Sequence, residues 1–195
     1  IETRYARQTG GHGQYAHVVV EFTPAEPGAG ITFNDKTVGG AIPKEYIPAI
    51  EKGIMDASKS GHLAGYEVVD FNATLLDGSF HEVDSSEMAF SIAGSMCLKE
   101  ALAKGAPVLL EPFMKVEILI PDEYTGDVVG NLTARRSKIM NIDIRNGAQV
   151  VHAMSPLSEM FGYATDLRSR TQGRGTFNMQ FDHHEQVGEA LAKKQ

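Results

Sequence analysis

The segment 77–84, with the sequence DGSFHEVD, concentrates side chains that could act in acid–base or metal chemistry. Asp77, His81, Glu82 and Asp84 all lie within it, and an imidazole beside carboxylates can move protons or bind a metal ion. They lie in a predicted loop, an arrangement that is neither the helical nor the CxxC-like one of common metal ligands. The residues alone therefore leave two interpretations open: a functional His81, or a polar loop that precedes a capped helix.

A second candidate segment is Gly10-Gly11-His12-Gly13, whose glycines permit positive φ and a close approach of the backbone to a ligand. A nucleotide-binding loop would open a helix whose N-terminus holds the phosphate, whereas residues 14–22 alternate as a strand does. The segment therefore predicts the tip of a β-hairpin. The chain contains no GxxxxGK[ST] motif and hence no Walker A site.

A third candidate is a basic stretch, residues 132–175, in a chain whose formal net charge is −7. It contains seven Lys or Arg and three acidic residues, a balance of +4, and six of the seven cations are arginine. Arg174 lies between two glycines just before a predicted strand. A guanidinium group binds phosphate through two parallel hydrogen bonds, so the stretch is either a solvated basic face or a phosphate-binding surface.

The composition excludes several other classes of protein. With 195 residues, 42% hydrophobic and 22% charged, the chain is long enough for one large or two small folded domains. No apolar run reaches the ~18 residues of a membrane span. The single cysteine, Cys97, cannot form an internal disulfide, which favours a reducing compartment. A start at Ile1 predicts a processed protein or a fragment of a longer one.

The first half of the chain mixes strand and helix patterns. The predicted strands are 2–8, 14–22, 31–38 and 66–76, and the predicted helices are 43–61 and 84–104. Asp77-Gly78 is typical of a turn. Asp84 and Glu87 form a capping box that predicts the start of the second helix, with Met88, Ile92, Met96 and Leu98-Leu102 on its inward face.

The second half, beyond a boundary at 105–112, has a different order of elements. The predicted elements are strand 113–120, helix 122–136, strand 138–145, strand 148–156, helix 157–169 and strand 175–182. This βαββαβ order is that of the ferredoxin-like fold. Residues 183–195 are a candidate for a short terminal helix. The sequence thus predicts an α+β protein with two domains.

Several long strings resemble one known family. They are RQTGGHGQYAHV (7–18), VGGAIPKEYIPAIEKGI (38–54), LAGYEVVDFNATLLDGSFHEVDSSEMAF (63–90), VLLEPFMKVEI (108–118) and PLSEMFGYATDLRSRTQGRGTF (156–177). Over almost the whole chain the sequence resembles the C-terminal half of bacterial-type elongation factor G, the ribosomal translocase. The resemblance implies a ribosomal-protein-like β-α-β domain IV over 1–108 and a ferredoxin-like domain V over 109–182. It also implies that the terminal helix, 183–195, packs back on domain IV.

The resemblance further implies where domain IV would meet RNA. Its two tip loops, 9–14 and 77–84, would enter the small-subunit decoding centre and contact the tRNA–mRNA duplex. The implied contact residues are Gly10, Gly11, His12, Gly13, Gln14, Asp77, Gly78, Ser79, His81 and Asp84. Backbone and small polar groups suit the shallow minor groove of A-form RNA, which is lined by 2′-hydroxyls. No catalytic residue and no metal ligand is implied.

For domain V the resemblance implies contact with large-subunit rRNA near the stalk base and the sarcin–ricin loop. The implied residues are Arg135, Arg136, Arg168, Arg170, Gln172 and Arg174. GTP and Mg²⁺ would bind in an N-terminal GTPase domain that this chain does not include, so the chain itself would not be an enzyme. We expect a cytoplasmic, monomeric module that binds the ribosome and no membrane.

One departure from the family pattern keeps a second function open. Many members have arginine where this chain has His12, which is largely neutral at pH 7 and would weaken the RNA contact of the first loop. The alternatives are therefore a translocase module and the same module of a paralogue specialised for ribosome recycling. A free-standing enzyme or metal-binding domain is a third possibility, disfavoured by the missing P-loop, the ligand spacing and the lone cysteine.

Overall fold

A computed structural model describes residues 1–8, 11–63, 65–188 and 191 of the chain. It divides the chain into two compact units, of which the first ends at Val108 and the second begins at Leu109. Each unit is a four-stranded sheet with two α-helices. The predicted class, α+β with two domains, is confirmed. Within the described residues, no helix has the length and apolar character needed to cross a membrane.

The sheet of the first unit contains one parallel pair in an otherwise antiparallel arrangement. Its elements are β1 (Glu2–Arg7), β2 (Gln14–Pro24), β3 (Ile31–Asp35), α1 (Ile47–Ser60), β4 (Phe71–Ser79) and α2 (Glu87–Lys104). The strand order is β1-β2-β4-β3. β3 and β4 run parallel, which requires the long connection that α1 supplies. This β3–α1–β4 crossover is the β-α-β unit.

Two glycines bring α1 and α2 unusually close together in the first core. A side-chain carbon at Gly94 of α2 would lie 2.5 Å from the carbonyl oxygen of Ile50, and one at Gly53 of α1 would overlap the carbonyl oxygen of Ser91. The predicted inward face of α2 is therefore wrong at Met88, which is 64% exposed, and right at Leu98, which is buried. Small residues face α1 because only they allow the approach. The buried face of α2 consists of Ala89, Phe90, Ala93, Gly94, Cys97 and Leu98.

The segment that leads into β4 differs from its prediction. β4 begins at Phe71 rather than at residue 66, because Asp70 adopts φ +59°. The Asp70 carboxylate accepts hydrogen bonds from the backbone N–H groups of Gly28 (3.1 Å) and Gly30 (2.9 Å). These hydrogen bonds hold the Pro/Gly loop that follows β2 against Asp70. A contact between residues so far apart in sequence gives no local sequence signal.

The far end of β4 and the start of α2 also differ from their predictions. Asp77-Gly78 is not a turn, because β2 is long enough to pair with β4 as far as His17↔Ser79. The capping box is wrong as well: Ser86 is the N-cap of α2, and its Oγ accepts a hydrogen bond from the Ala89 N–H (3.1 Å). The helix therefore begins at Glu87, and residues 80–86 form the loop between β4 and α2.

The second unit has the predicted ferredoxin-like topology. Its elements are β5 (Leu110–Pro121), α3 (Thr125–Ala134), β6 (Lys138–Arg145), β7 (Ala148–Pro156), α4 (Tyr163–Arg170) and β8 (Thr176–Gln186). The sheet order is β6-β7-β5-β8, with every neighbouring pair antiparallel. Val128 and Leu132 of α3 and Leu167 of α4 are buried in the same core as Ile118 of β5.

The second unit departs from its prediction at α4 and at the C-terminal segment. The predicted helix 157–169 is broken, because Gly162 adopts φ +74° and α4 starts only at Tyr163. The predicted terminal helix is wrong for residues 183–186, which extend β8 because the first residues of β5 supply ladder partners from Leu110↔Gln186 onward. Residues 189, 190 and 192–195, and with them the expected packing of this tail, lie outside the described residues.

The close approach of α1 and α2 gives a test of the first core. We expect Gly94→Ala to lower the free energy of unfolding of the first unit by about 1–3 kcal/mol, because the added methyl group must push the two helices apart. Gly130→Ala is the control: Gly130 lies inside α3 with open space at its Cβ position, so the same change should raise stability by about 0.5–1 kcal/mol. Calorimetric melting of the two variants checks both signs, and an unchanged Gly94→Ala melting profile would contradict the packing argument.

Candidate nucleic-acid interface

Two loops meet at one end of the first sheet. The loop between β1 and β2 and the loop after β4 are joined by two hydrogen bonds: the Tyr15 N–H donates to the Asp84 carbonyl (2.9 Å), and the Ser85 hydroxyl donates to the Tyr15 carbonyl (2.7 Å). We call this end, formed by residues 11–15 and 79–86, the tip. The structure thus brings the two predicted loops together, except for Thr9 and Gly10, which lie outside the described residues.

His81 is exposed on the tip and stacks on Tyr15. The two ring centroids are 3.7 Å apart and the ring planes differ by 4°. The backbone of His81 is also fixed, because its N–H donates to Ser85 Oγ (2.9 Å) and its carbonyl accepts from the Ser85 N–H (3.0 Å). Neither imidazole nitrogen hydrogen-bonds to any residue that the structure describes.

A chain of polar side chains continues from Tyr15 across β4, β2 and β1 of the sheet. The Tyr15 hydroxyl and Ser79 Oγ are 2.8 Å apart, Ser79 Oγ lies 2.9 Å from His17 Nδ1, and His17 Nε2 lies 2.7 Å from Glu2 Oε1. His17 is buried. The sequence analysis missed Tyr15, His17 and Ser85. The period-two spacing of Tyr15 and His17, which puts both on one face of β2, is the signal that could have identified the first two.

The other predicted tip residues lie in different surroundings. His12 is exposed, and Gly13 lies against Asp84, where a side-chain carbon would come within 3.2 Å of the carboxyl carbon. Gln14 begins β2 and accepts a hydrogen bond from the Tyr5 hydroxyl (2.6 Å). The structure also contains no group of three or more His, Cys, Asp or Glu that could hold a metal ion among its described residues.

The predicted loop 77–84 is shorter than expected, because its first three residues belong to β4. Asp77 and Gly78 lie in the β2–β4 ladder. A side chain at Gly78 would collide with the side chain of Ile42, whose Cδ1 would be 2.5 Å from the new carbon. Gly78 is therefore needed for packing beneath the tip. Ser79, the last residue of β4, is the only residue of that strand that belongs to the tip as defined above.

In the second unit, Arg135 has a packing role. Its side chain is only 18% exposed. The guanidinium group lies 3.0 Å from Asp166 Oδ2, donates to the Glu159 carbonyl, and stands 5.1 Å from the centre of the Tyr163 ring. The hydrogen bond from Arg135 lowers the pKa of Asp166, and burial raises the pKa of Tyr163 to about 12. These contacts fasten α3 to the start of α4.

Three of the other predicted arginines are also paired with carboxylates. Arg136 contacts Glu111 (2.9 Å) and Glu159 (3.1 Å); burial alone would lower its pKa, but these hydrogen bonds outweigh burial and raise it. The remaining ion pairs are Arg170 with Asp127 (3.0 Å) and Asp166 (3.1 Å), and Arg174 with Glu123 (2.9 Å).

The basic stretch therefore carries less available charge than its sequence suggests. Five of its seven cations lie within salt-bridge distance of a carboxylate. Four of the acids involved lie outside the stretch: Glu111, Glu123, Asp127 and Glu185. Among the residues that the structure describes, Arg145 and Arg168 have no such partner.

A tight turn joins the end of α4 to the start of β8. Gln172 and Gly173 adopt φ +53° and +78°, respectively. The turn is closed by the Thr171 hydroxyl, which accepts a hydrogen bond from the Gly175 N–H (2.8 Å). Arg168, Gln172 and Arg174 are all exposed around this turn. The backbone N–H groups of Gly173, Arg174 and Gly175 donate hydrogen bonds within the turn, so what this part of the second unit offers is a cluster of exposed side-chain donors.

Comparisons with known proteins agree with this architecture. The model of elongation factor G domain IV matches residues 1–106, and that of the elongation factor G C-terminus matches residues 108–195. One similar solved structure is the crystal structure of a protein from Thermus thermophilus, whose sequence is 42% identical to this chain and whose superposition on it gives a TM-score of 0.93. The match covers 100% of this chain and 29% of that protein. The matched domains define a translation-factor module. The chain belongs to the elongation factor G family, of which it contains domain IV and the C-terminal domain, domain V.

The Arg135–Asp166 pair gives a test of the second unit. We expect Asp166→Asn to lower the free energy of unfolding at pH 7 by about 1–3 kcal/mol, because a hydrogen bond between charged groups is lost. The pKa of Asp166 is lowered in the folded state, so its contribution is complete above its ordinary value of about 4 and disappears as the pH falls through the lower value. The two proteins should therefore converge in strong acid.

Urea unfolding between pH 7 and pH 3, followed by NMR signals of β7, measures this difference. Asp56→Asn, at an exposed position of α1, is the control and should leave the second unit unchanged. A stability deficit of Asp166→Asn that stays constant down to pH 3 would show that Asp166 acts through packing and not through its charge.

Proposed function

We propose that this chain is the ribosome-contacting part of an elongation factor G and that its tip contacts the tRNA–mRNA duplex in the decoding centre during translocation. The observation that carries the proposal is the joining of two loops, far apart in sequence, into one surface on which His81 is exposed. Such a surface at the end of a sheet supported by two closely packed helices can enter a narrow site without deforming.

The chemistry of the tip fits RNA of any sequence. Its described residues include no lysine or arginine, so strong phosphate binding is not expected. They do include glycines, hydroxyls, Gln14 and His81, which can hydrogen-bond to 2′-hydroxyls across a shallow minor groove. A contact that reads shape and not bases suits a factor that must move every codon and then leave.

For domain V we propose that RNA contact centres on Arg168, Gln172 and Arg174. Arg168 has no carboxylate partner among the described residues. Arg174 forms an ion pair between exposed side chains, which contributes little and exchanges readily, and its guanidinium group stands 6.0 Å from the centre of the Tyr124 ring. Contacts from Arg136 and Arg170 would require phosphate to displace their carboxylates. Arg135 is assigned to packing and not to RNA.

The proposed role involves no bond chemistry in this chain. GTP, with Mg²⁺, would be hydrolysed in a preceding domain of the full-length factor, and domain IV would give the movement its direction by occupying the space that the tRNA leaves. A second candidate function is ribosome recycling by a specialised paralogue. It is suggested by His12, which replaces an arginine common in the family. Toeprinting, which measures movement of the mRNA, distinguishes the two candidates.

In the full-length factor that carries this chain, we expect His81→Ala to slow translocation about tenfold, equivalent to ~1.4 kcal/mol of activation free energy, while GTP hydrolysis stays near the native rate. Toeprinting on pre-translocation ribosomes measures the three-nucleotide shift. The matched control is His62→Ala, another exposed histidine of the same unit, which should have no effect. Equal loss of both activities would contradict the tip assignment, and ribosome splitting without a toeprint shift would establish the recycling alternative.

A second prediction concerns the salt dependence of binding by domain V. The affinity of the chain for large ribosomal subunits should fall with salt, and Arg168→Gln should reduce the log–log slope by about 1, as loss of one phosphate contact does. Arg145→Gln is the matched control, because Arg145 is the other arginine of the stretch without a carboxylate partner among the described residues. Co-sedimentation over a salt series provides the slopes. Equal effects of the two variants would mean that net charge, and not the turn at 171–175, governs binding.

A further inference from the structure

Every functional group of Tyr15 is directed to the other half of the tip. Its N–H donates to the Asp84 carbonyl and its carbonyl accepts from the Ser85 hydroxyl. Its hydroxyl meets Ser79 Oγ at 2.8 Å, and its ring lies 3.7 Å from that of His81. Tyr15 thus holds the second loop both by its backbone and by its side chain.

The stack on Tyr15 restricts a side chain that would otherwise move freely. An exposed side chain such as that of His81 ordinarily changes rotamer within picoseconds to nanoseconds. Ordering it on contact with RNA would cost free energy, which a side chain already held in its bound orientation does not lose. The near-parallel rings, with planes differing by 4°, leave the imidazole little freedom about its last bond.

The orientation of Tyr15 is in turn fixed from below. Its hydroxyl joins the chain Ser79–His17–Glu2, in which successive atoms are 2.9 Å and 2.7 Å apart. His17 is buried, so the middle of this chain of hydrogen bonds is shielded from solvent, and the chain ends at Glu2, whose side chain is 65% exposed. A rotation of the Tyr15 ring would break the contact with Ser79 and uncover one face of the imidazole.

We propose that Tyr15 is a positioning residue for translocation: its ring, anchored through Ser79, holds the His81 imidazole in the single orientation in which it meets the tRNA–mRNA duplex. The inference rests on the proposed function of the tip. It assigns Tyr15 an effect on the movement step that acts through His81 and requires no direct contact between Tyr15 and RNA.

The contact itself can be tested on the 195-residue chain without ribosomes. NMR of ¹³C-labelled histidine should show the His81 ring protons shifted upfield by the Tyr15 ring. The shift should persist in Tyr15→Phe, which keeps the stack, and vanish in Tyr15→Leu. Tyr66→Leu is the control, because Tyr66 is exposed in the segment that leads into the opposite end of β4. Unchanged His81 signals in Tyr15→Leu would overturn the positioning role.

The effect on movement is measured by toeprinting with the full-length factor. We expect Tyr15→Leu to slow translocation about tenfold, as His81→Ala does, with Tyr15→Phe within about twofold of native. The double variant Tyr15→Leu/His81→Ala should be no slower than either single variant, since residues acting as a unit are not additive. Circular dichroism melting of the chain verifies that Tyr15→Leu stays folded at the assay temperature.

The outcomes distinguish a failure of the positioning role of Tyr15 from a failure of the proposed function of the tip. A normal translocation rate for Tyr15→Leu, together with lost upfield shifts and a slow His81→Ala, would overturn the positioning role and leave the proposed function standing. Additive slowing in the double variant would also overturn it, because Tyr15 would then act apart from His81. A normal rate for His81→Ala would defeat the proposed role of the tip, and the inference with it, even if the NMR shifts behave as expected.

Discussion

The antiparallel pairing of β2 with β4 is the constraint on which the tip depends. The ladder continues to His17↔Ser79, which brings the end of β4 beside the first residues of β2, so the loops at this end of the two strands are neighbours. Gly78 makes this possible, because a side chain there would collide with Ile42 and with the backbone of His17. The hydrogen bonds from Tyr15 and Ser85 then join loops that are already adjacent. Without the last three pairs of the ladder, His81 would have no ring to stack on.

Local signals predicted much of the fold, and long-range contacts account for most of what was missed. β6 and β7 have the predicted bounds, because Asn146-Gly147 adopts the two positive φ angles that a tight hairpin requires. The start of β4 was wrong because Asp70 is held by Gly28 and Gly30, about forty residues away in sequence. The capping residue was wrong by two positions, because Asp84 is drawn into the contact with Tyr15 and Ser86 caps α2 instead.

The candidate site was predicted in outline and not in detail. Glycines and a histidine between strands were enough to indicate two exposed loops, and the family resemblance indicated that they belong together. Tyr15 was missed because its role depends on His81, which lies far away in the sequence and is brought beside Tyr15 only by the fold. The available charge of the basic stretch was overestimated for the same reason: it was counted along the sequence, whereas four of its acidic partners lie on β5, α3 and β8 and in the turn between β5 and α3.

The bond between Ser85 and Tyr15 joins residues 70 positions apart, and this separation has a consequence for synthesis. The β1–β2 hairpin is local and can form as soon as it leaves the exit tunnel, but it then has no second loop to support. β3 must wait for α1 before its parallel partner β4 exists, and pairings over such distances are slow to form. A growing chain therefore carries only half of the tip until the residues around Ser85 have emerged from the exit tunnel, and the two loops can join only after that point.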